Sequence, residues 1–306
     1  MKMLITAIGK RVQLIKYLKS SFEIVGTDCS ALAPAIHFTG KFYQVSRCDS
    51  AGYSAELLGI CRKEKIGALL PLFEKEFEVL DSIRGRLGDM GTFLLLPEKN
   101  VLSLCNDKWL TYRFFADNNI NTPASFLHPA ECPGCFPLFI KPRVGMGSSN
   151  SIKVNNREEL VFYYKRIENP IIQEFVNGIE YTVDCFCDAC GRPVSVVPRE
   201  RLEVRAGEVS KSRTVKNEEL IRAAMNVCSR LKGMGPITVQ CIKTPEGELK
   251  FTEINPRLAG GVPLSIAAGA DYCRYFRDLA AGRELCSDIG NFRELTMLRY
   301  DEAVFL

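Results

Sequence analysis

In the segment Phe139-Ile140-Lys141-Pro142-Arg143-Val144-Gly145-Met146-Gly147-Ser148-Ser149, a lysine ends an apolar run and is followed by a loop holding Gly145, Gly147, Ser148 and Ser149. A cation next to pliant backbone N–H groups and two hydroxyls is suited to fold over phosphate oxygens. The lysine precedes the glycines, so this is not the P-loop pattern G-x-x-x-x-G-K-[ST]. Taken alone, the segment also suits a glycine hairpin between two strands.

A second group lies at Phe251-Thr252-Glu253-Ile254-Asn255-Pro256-Arg257. Residues two apart on a strand share a face, so Glu253, Asn255 and Arg257 project together until Pro256 stops the ladder. Across a Pro-Glu-Gly-Glu turn, Gln240 on the partner strand falls near Glu253. The result is an all-oxygen set suited to magnesium, with nucleotide phosphates and water completing the shell. A solvated edge strand with polar alternation is the plain alternative. Between the two groups, Arg201, Arg205, Lys211 and Arg213 form a basic cluster. It reads as a mobile segment touching substrate or phosphates, or as a charged hairpin in water.

The elements that must position these residues alternate along the chain. Residues 3–8, a Gly-Lys-Arg turn, a helical period over 12–18 and the run at 23–28 predict a β-α-β opening. Helices at 54–65 and 74–87 and strands at 68–72 and 92–96 continue it, which argues a parallel sheet covered on both faces. The first turn has only Gly9 where a dinucleotide fingerprint has three glycines, although Asp28 stands about where a ribose-binding acid would. A capped amphipathic helix is expected at 106–118. Short strands with one helix at 157–166 then make an α+β lobe. A helix at 217–231, two strands joined by the Pro-Glu-Gly-Glu turn, and a helical stretch over 262–281 close the chain.

Taken together, the motifs resemble the ATP-grasp superfamily. The set Gln240, Glu253, Asn255 and Arg257 is similar to one synthetase unit of the carbamoyl phosphate synthetase large subunit. The resemblance implies an α/β and α+β fold: a Rossmann-like pre-ATP-grasp domain over residues 1–105, a linking helix and small lobe over 106–198, and a large lobe over 199–306. It implies that Lys108, Lys141 and the loop with Gly145, Gly147, Ser148 and Ser149 hold nucleotide phosphates. The strand end Glu174-Phe175-Val176 would supply the adenine edge and Glu180 the ribose contact. Gln240, Glu253 and Asn255 would hold Mg2+, with Mn2+ as substitute, while Lys141 and Arg257 would act on the transferred phosphate; Arg205 and Lys211 of the basic cluster are further candidates for contact with substrate or phosphates. Many members carry an acid at the first metal position, where this chain has Gln240.

The implied reaction is ATP-dependent activation of a small-molecule carboxylate as an acyl phosphate, followed by attack of an amine to give ADP, phosphate and an amide. Formation of an acyl or carbamoyl phosphate without amine ligation is the alternative, and a nucleotide sensor without turnover is a third reading. Gly9 to Arg11, Glu74 and the stretch 258–263 are candidates for the acceptor side.

Composition narrows the field. The 306 residues carry a net charge of +4, with 46% apolar and 25% charged residues, and only two histidines, His37 and His128. That bias is too small to imply nucleic acid, and a histidine-centred metal site or triad is not expected. No apolar run reaches the roughly 18 residues that span a bilayer, so a cytoplasmic protein without membrane partner is expected, with a homodimer compatible. The 13 cysteines read as reduced thiols, and the pairs Cys132/Cys135 and Cys187/Cys190 lie too far apart for a zinc ribbon.

Overall fold

The computed structural model describes the 306-residue chain apart from Met146, Ser148, Ser149 and Ala206. Ser148 and Ser149 of the expected phosphate loop therefore lie outside the described residues.

Strands β1 (Lys2–Thr6), β2 (Glu23–Asp28), β3 (Lys41–Gln44), β4 (Ala68–Pro71) and β5 (Phe93–Leu94) form a parallel sheet in the order β3-β2-β1-β4-β5. β1, β2 and β4 are buried almost throughout because helices cover both faces. Helix α1 (Val12–Leu18) buries Leu14, Ile15 and Leu18, and α2 (Tyr53–Glu64) buries Leu57, Leu58 and Cys61. The stretch expected as one helix over 74–87 is a single 3-10 turn followed by α3 (Phe77–Ser82) and α4 (Arg84–Asp89), broken where Ile83 leaves helical geometry. Asp28 accepts from Gly9 N at 2.9 Å, so its carboxylate fastens the first turn.

Helices α5 (Lys99–Asn106) and α6 (Lys108–Asp117) link this domain to the rest. Asp107 ends the first and caps the second, accepting from Trp109 N and Leu110 N. Strands β6 (Ser125–Phe126), β7 (Leu138–Pro142), β8 (Ile152–Val154) and β9 (Pro170–Glu174) form an antiparallel sheet in the order β6-β9-β7-β8, with α7 (Arg157–Tyr164) on it.

A six-stranded antiparallel sheet completes the fold: β10 (Ile179–Cys187), β11 (Pro193–Arg205), β12 (Glu208–Thr214), β13 (Gly235–Lys243), β14 (Leu249–Asn255) and β15 (Thr296–Leu298), in the order β14-β13-β10-β11-β12-β15. Residues 179–198, expected in the small lobe, belong to this sheet because β10 pairs along its whole length with β13. Helix α8 (Glu218–Leu231), capped by Asn217, packs Leu220, Ile221, Ala224, Val227, Cys228 and Leu231 inward. That is a helical stripe of spacing 3 and 4. The closing stretch divides at Gly269 (φ 126°) into α9 (Val262–Ala268) and α10 (Tyr272–Ala280). Tyr272, Tyr275 and Phe276 of α10 cluster on Phe186 of β10, with ring centroids 5.1 to 5.9 Å apart. Among the described residues no helix is long and apolar enough to cross a membrane.

Candidate active site

A cleft of about 650 Å³ opens where the three sheets meet. Its size suits a nucleotide-class ligand.

β7 delivers Lys141 into this cleft. Burial pushes its ammonium down to about 8, with Glu253 opposing that fall and Lys108 adding to it. The loop after β7 is moored to the start of α6: Arg143 Nε donates to Asp107 Oδ1 at 2.7 Å, Lys108 N donates to Arg143 O at 3.1 Å, and Lys108 Nζ donates to Gly145 O at 2.8 Å. Gly147 has φ 68°, and Gly207 (φ 77°) between β11 and β12 lies so close that a Cβ there would stand 3.0 Å from Gly147 O. Both turns need glycine, one for backbone geometry and the other also for space.

The expected metal residues come together through register. β13 and β14 pair Gln240 with Glu253 and Thr238 with Asn255. The Asn255 amide nitrogen donates to Glu253 Oε1 at 3.2 Å and to Glu74 Oε1 at 3.0 Å. Gln240, Glu253 and Asn255 together offer one carboxylate and two amide oxygens, a donor chemistry that fits Mg2+. Glu74, from the N-terminal domain, joins the cluster, and Arg257 Nε pairs with it at 2.6 Å.

At the other end of the cleft, β9 ends in Glu174, whose carboxylate pairs with Lys250 and whose N–H donates to Ala124 O at 2.8 Å. Phe175 and Val176 follow it, with Lys153 Nζ 4.1 Å from the Phe175 ring centroid. Glu180 pairs with Arg201 at 3.3 Å.

Lys108, Lys141, Gly145, Gly147, Glu174, Phe175, Val176, Glu180, Gln240, Glu253, Asn255 and Arg257 line this one cleft. Sequence comparison agrees: the family model described as ATP-grasp domain matches residues 105–261, half of the chain.

The chain belongs to the ATP-grasp family.

Residues 3–95 of this ATP-grasp protein match the model described as PylC-like, N-terminal domain. It is 23% identical over 280 residues to the formate-dependent phosphoribosylglycinamide formyltransferase of Ignicoccus hospitalis, covering 82% of this chain and 67% of that one. It is 27% identical over 252 residues to the carbamoyl phosphate synthase large chain of Thermoanaerobacter sp., covering 75% of this chain but only 23% of that relative. The biotin carboxylase domain of Hydrogenobacter thermophilus 2-oxoglutarate carboxylase, solved with MgADP and bicarbonate, shares the fold at TM-score 0.78 and 15% identity, covering 95% of this chain and 72% of that one.

Two expected residues do not reach the cleft. Arg205 and Lys211 sit on the β11–β12 hairpin and both pair with Glu203, at 2.9 and 2.7 Å. Arg213 likewise pairs with Glu200. Arg205 meets Glu203 along its own strand, while Lys211 and Arg213 meet glutamates across from β12, so this part of the cluster is a charged hairpin with its side chains in water. Arg201 does line the cleft. Arg199 was not anticipated: it is 1% exposed, lines the cleft, and donates to Asp184 from Nε (2.7 Å) and Nη2 (2.9 Å). The available signal was its place two residues before Arg201 on the same strand face.

Proposed function

We propose that this protein is an ATP- and Mg2+-dependent ligase that activates a small-molecule carboxylate as an acyl phosphate and passes the acyl group to an amine. The observation carrying this reading is that Lys141, Gln240, Glu253, Asn255 and Arg257, drawn from two sheets, share one cleft with Glu174, Phe175 and Val176.

The reaction begins with nucleophilic attack of a carboxylate oxygen on the γ-phosphorus; the bond to the β-phosphate oxygen breaks and ADP leaves. An amine lone pair then attacks the acyl carbon, phosphate departs, and the amine proton passes to solvent or to the departing phosphate. The protein's part is positioning and charge neutralisation. Lys108 and Lys141 face the phosphates from the side of the glycine loop. Arg257, steered by Glu74, faces the transferred group, where a planar fork fits developing charge on phosphate oxygens. Glu180 is placed to accept from ribose hydroxyls, and the main chain of Phe175 and Val176 reads the adenine edge. Gln240, Glu253 and Asn255 would hold Mg2+, which when bound supplies charge neutralisation across the phosphates.

Mn2+ in place of Mg2+, a cytoplasmic location and pairing with a second copy belong to the same proposal. Sedimentation would read the last. The test of the function is ADP release from MgATP over paired carboxylates and amines, with Lys141→Ala and Glu253→Ala as controls. Each should fall by at least about a hundredfold, the scale for removal of one transition-state electrostatic partner. Near-wild-type turnover in either would overturn the assignment.

A further inference from the structure

Two guanidinium groups press on two successive glycines in the lining of the cleft. A Cβ on Gly260 would stand 3.0 Å from Arg11 Nη1, and one on Gly261 would stand 2.4 Å from Arg199 Nη1. Arg11 comes from the N-terminal domain and Arg199 from the centre of the large sheet, and both line the cleft. The glycine pair therefore leaves room for two arginines that a side chain at either position would displace.

The charges around this pair are out of balance. Glu208 is shared by three cations: Lys10 at 3.7 Å, Arg11 at 3.7 Å and Arg299 at 3.2 Å. Burial holds Arg11 below its ordinary value, and Arg257 and Arg299 add to that fall against the pull of Glu208. Asp184 occupies two nitrogens of Arg199 and also accepts from Ser265 Oγ at 2.6 Å. The third nitrogen, Nη1, is buried without a partner among the described residues. A buried donor of a charged group left unsatisfied is costly, and such an atom beside a cleft marks the place of an absent acceptor.

Arg257 pairs with Glu74 beside Asn255 and Glu253, and Arg11, close enough to feel the Arg257 charge, adds with Arg199 a second pair of cations to the same cleft. We propose that Arg11 and Arg199, seated on Gly260 and Gly261, bind the α-carboxylate of an amino-acid substrate, a carboxylate that orients the molecule and is not itself activated. Glu208, facing Gly260, offers the acceptor for an ammonium. The proposal deepens the ligase reading and rests on it for its place in the reaction.

The test sets the common L- and D-amino acids against their α-carboxamides as probes. Two readouts are taken: calorimetric binding to the MgADP-loaded protein, and ADP release from MgATP. At least one amino acid should bind, and its α-carboxamide should bind at least about tenfold more weakly, because the arginine fork loses its charged acceptor. Arg199→Lys, which keeps a charge for Asp184, and Arg11→Gln should each weaken binding of the acid about tenfold, leave that of the amide unchanged, and leave MgATP affinity within about twofold. Gly261→Ala, which pushes on Nη1 without changing the Asp184 pair chemically, should act in the same direction. Amides binding as well as acids, or no amino acid binding at all, would overturn the proposal. If ADP release with other carboxylates persists in that case, the ligase reading survives it. Loss of ADP release with every probe, alongside binding that still discriminates acid from amide, would sink the ligase reading instead.

Discussion

Arg257 Nε lies 2.6 Å from Glu74 Oε1, an ion pair between the end of the large-lobe sheet and the loop that follows β4 of the N-terminal domain. The same Glu74 oxygen faces Asn255, so one carboxylate from the first domain organises both the metal-binding and the phosphate-facing groups of the second. The arrangement assigns Arg257 to the moving phosphate and Glu74 to positioning it.

Arg257→Ala should leave MgATP affinity within about threefold while turnover falls on the order of a hundredfold, since an interaction made mainly in the transition state lowers only the barrier. Arg257→Lys should rescue poorly, and Glu74→Gln should lose roughly tenfold, because the guanidinium remains but is no longer steered. Calorimetry and steady-state kinetics on the same preparations separate these outcomes. Equal loss of binding and turnover in Arg257→Ala would make it a ground-state clamp.

Lys141 predicts two opposite pH trends in one window. Its ammonium titrates at about 8 in the free protein because burial disfavours the charge. Bound phosphates favour the charged form, so MgATP affinity should be full below pH 8 and fall by up to about tenfold per pH unit above it. The unfolded chain holds this proton to about pH 10.4, so between those values it binds more protons than the native protein and the stability of the free protein should rise with pH. Lys141→Met should flatten both curves, read by calorimetry and by urea unfolding.

Glu76 works in the other direction. Burial pushes its carboxyl up to about 7, opposed by the hydrogen bond that Thr6 donates and aided by Asp28. Between its ordinary value near 4.5 and about 7 the native state binds the extra proton, so its contribution is fully present at low pH and is lost as pH rises through that window. Glu76→Gln should match wild type at pH 4 and exceed it at pH 8, by at most roughly 3 kcal/mol. Denaturant melts at the two pH values would show it; a destabilised variant at pH 8 would contradict the burial argument.

The parallel sheet and the motif strands were legible because both rest on local pattern: apolar runs in β1 and β4, and period-two alternation over Glu253 and Asn255. Lys141 was legible from its place before the glycines. Arg205 and Lys211, expected at the substrate, both pair with Glu203 instead, Arg205 along its own strand and Lys211 from the neighbouring one. A bulge sets Glu203 opposite Lys211, and no local pattern in the sequence announces it. Arg199 was missed for a related reason. Its importance comes from Asp184 on the neighbouring strand and from Gly261, contacts that only the folded chain creates. β10 and β11 look in the sequence like any other short strands; only the pairing of β10 with β13 on one side and with β11 on the other joins both to the large sheet.

The oxygen cluster makes a further claim. Glu253→Ala should raise the Mg2+ concentration needed for half-maximal ADP release by at least about tenfold, since a carboxylate is the strongest donor in an otherwise neutral set. Glu180→Ala, further along the cleft, should leave that requirement unchanged and weaken ATP binding instead. A metal titration of both variants checks the division of labour, and identical Mg2+ curves would undo it.

The central claim is that a carboxylate oxygen attacks the γ-phosphorus and later leaves with the phosphate. Carboxylates labelled with 18O, screened with amines and MgATP, test it directly through mass spectrometry of the released phosphate. The account predicts that, for the true substrate pair, ADP, an amide and phosphate carrying one 18O appear together. Unlabelled phosphate from every pair that releases ADP, or no ADP release from any pair, would contradict it.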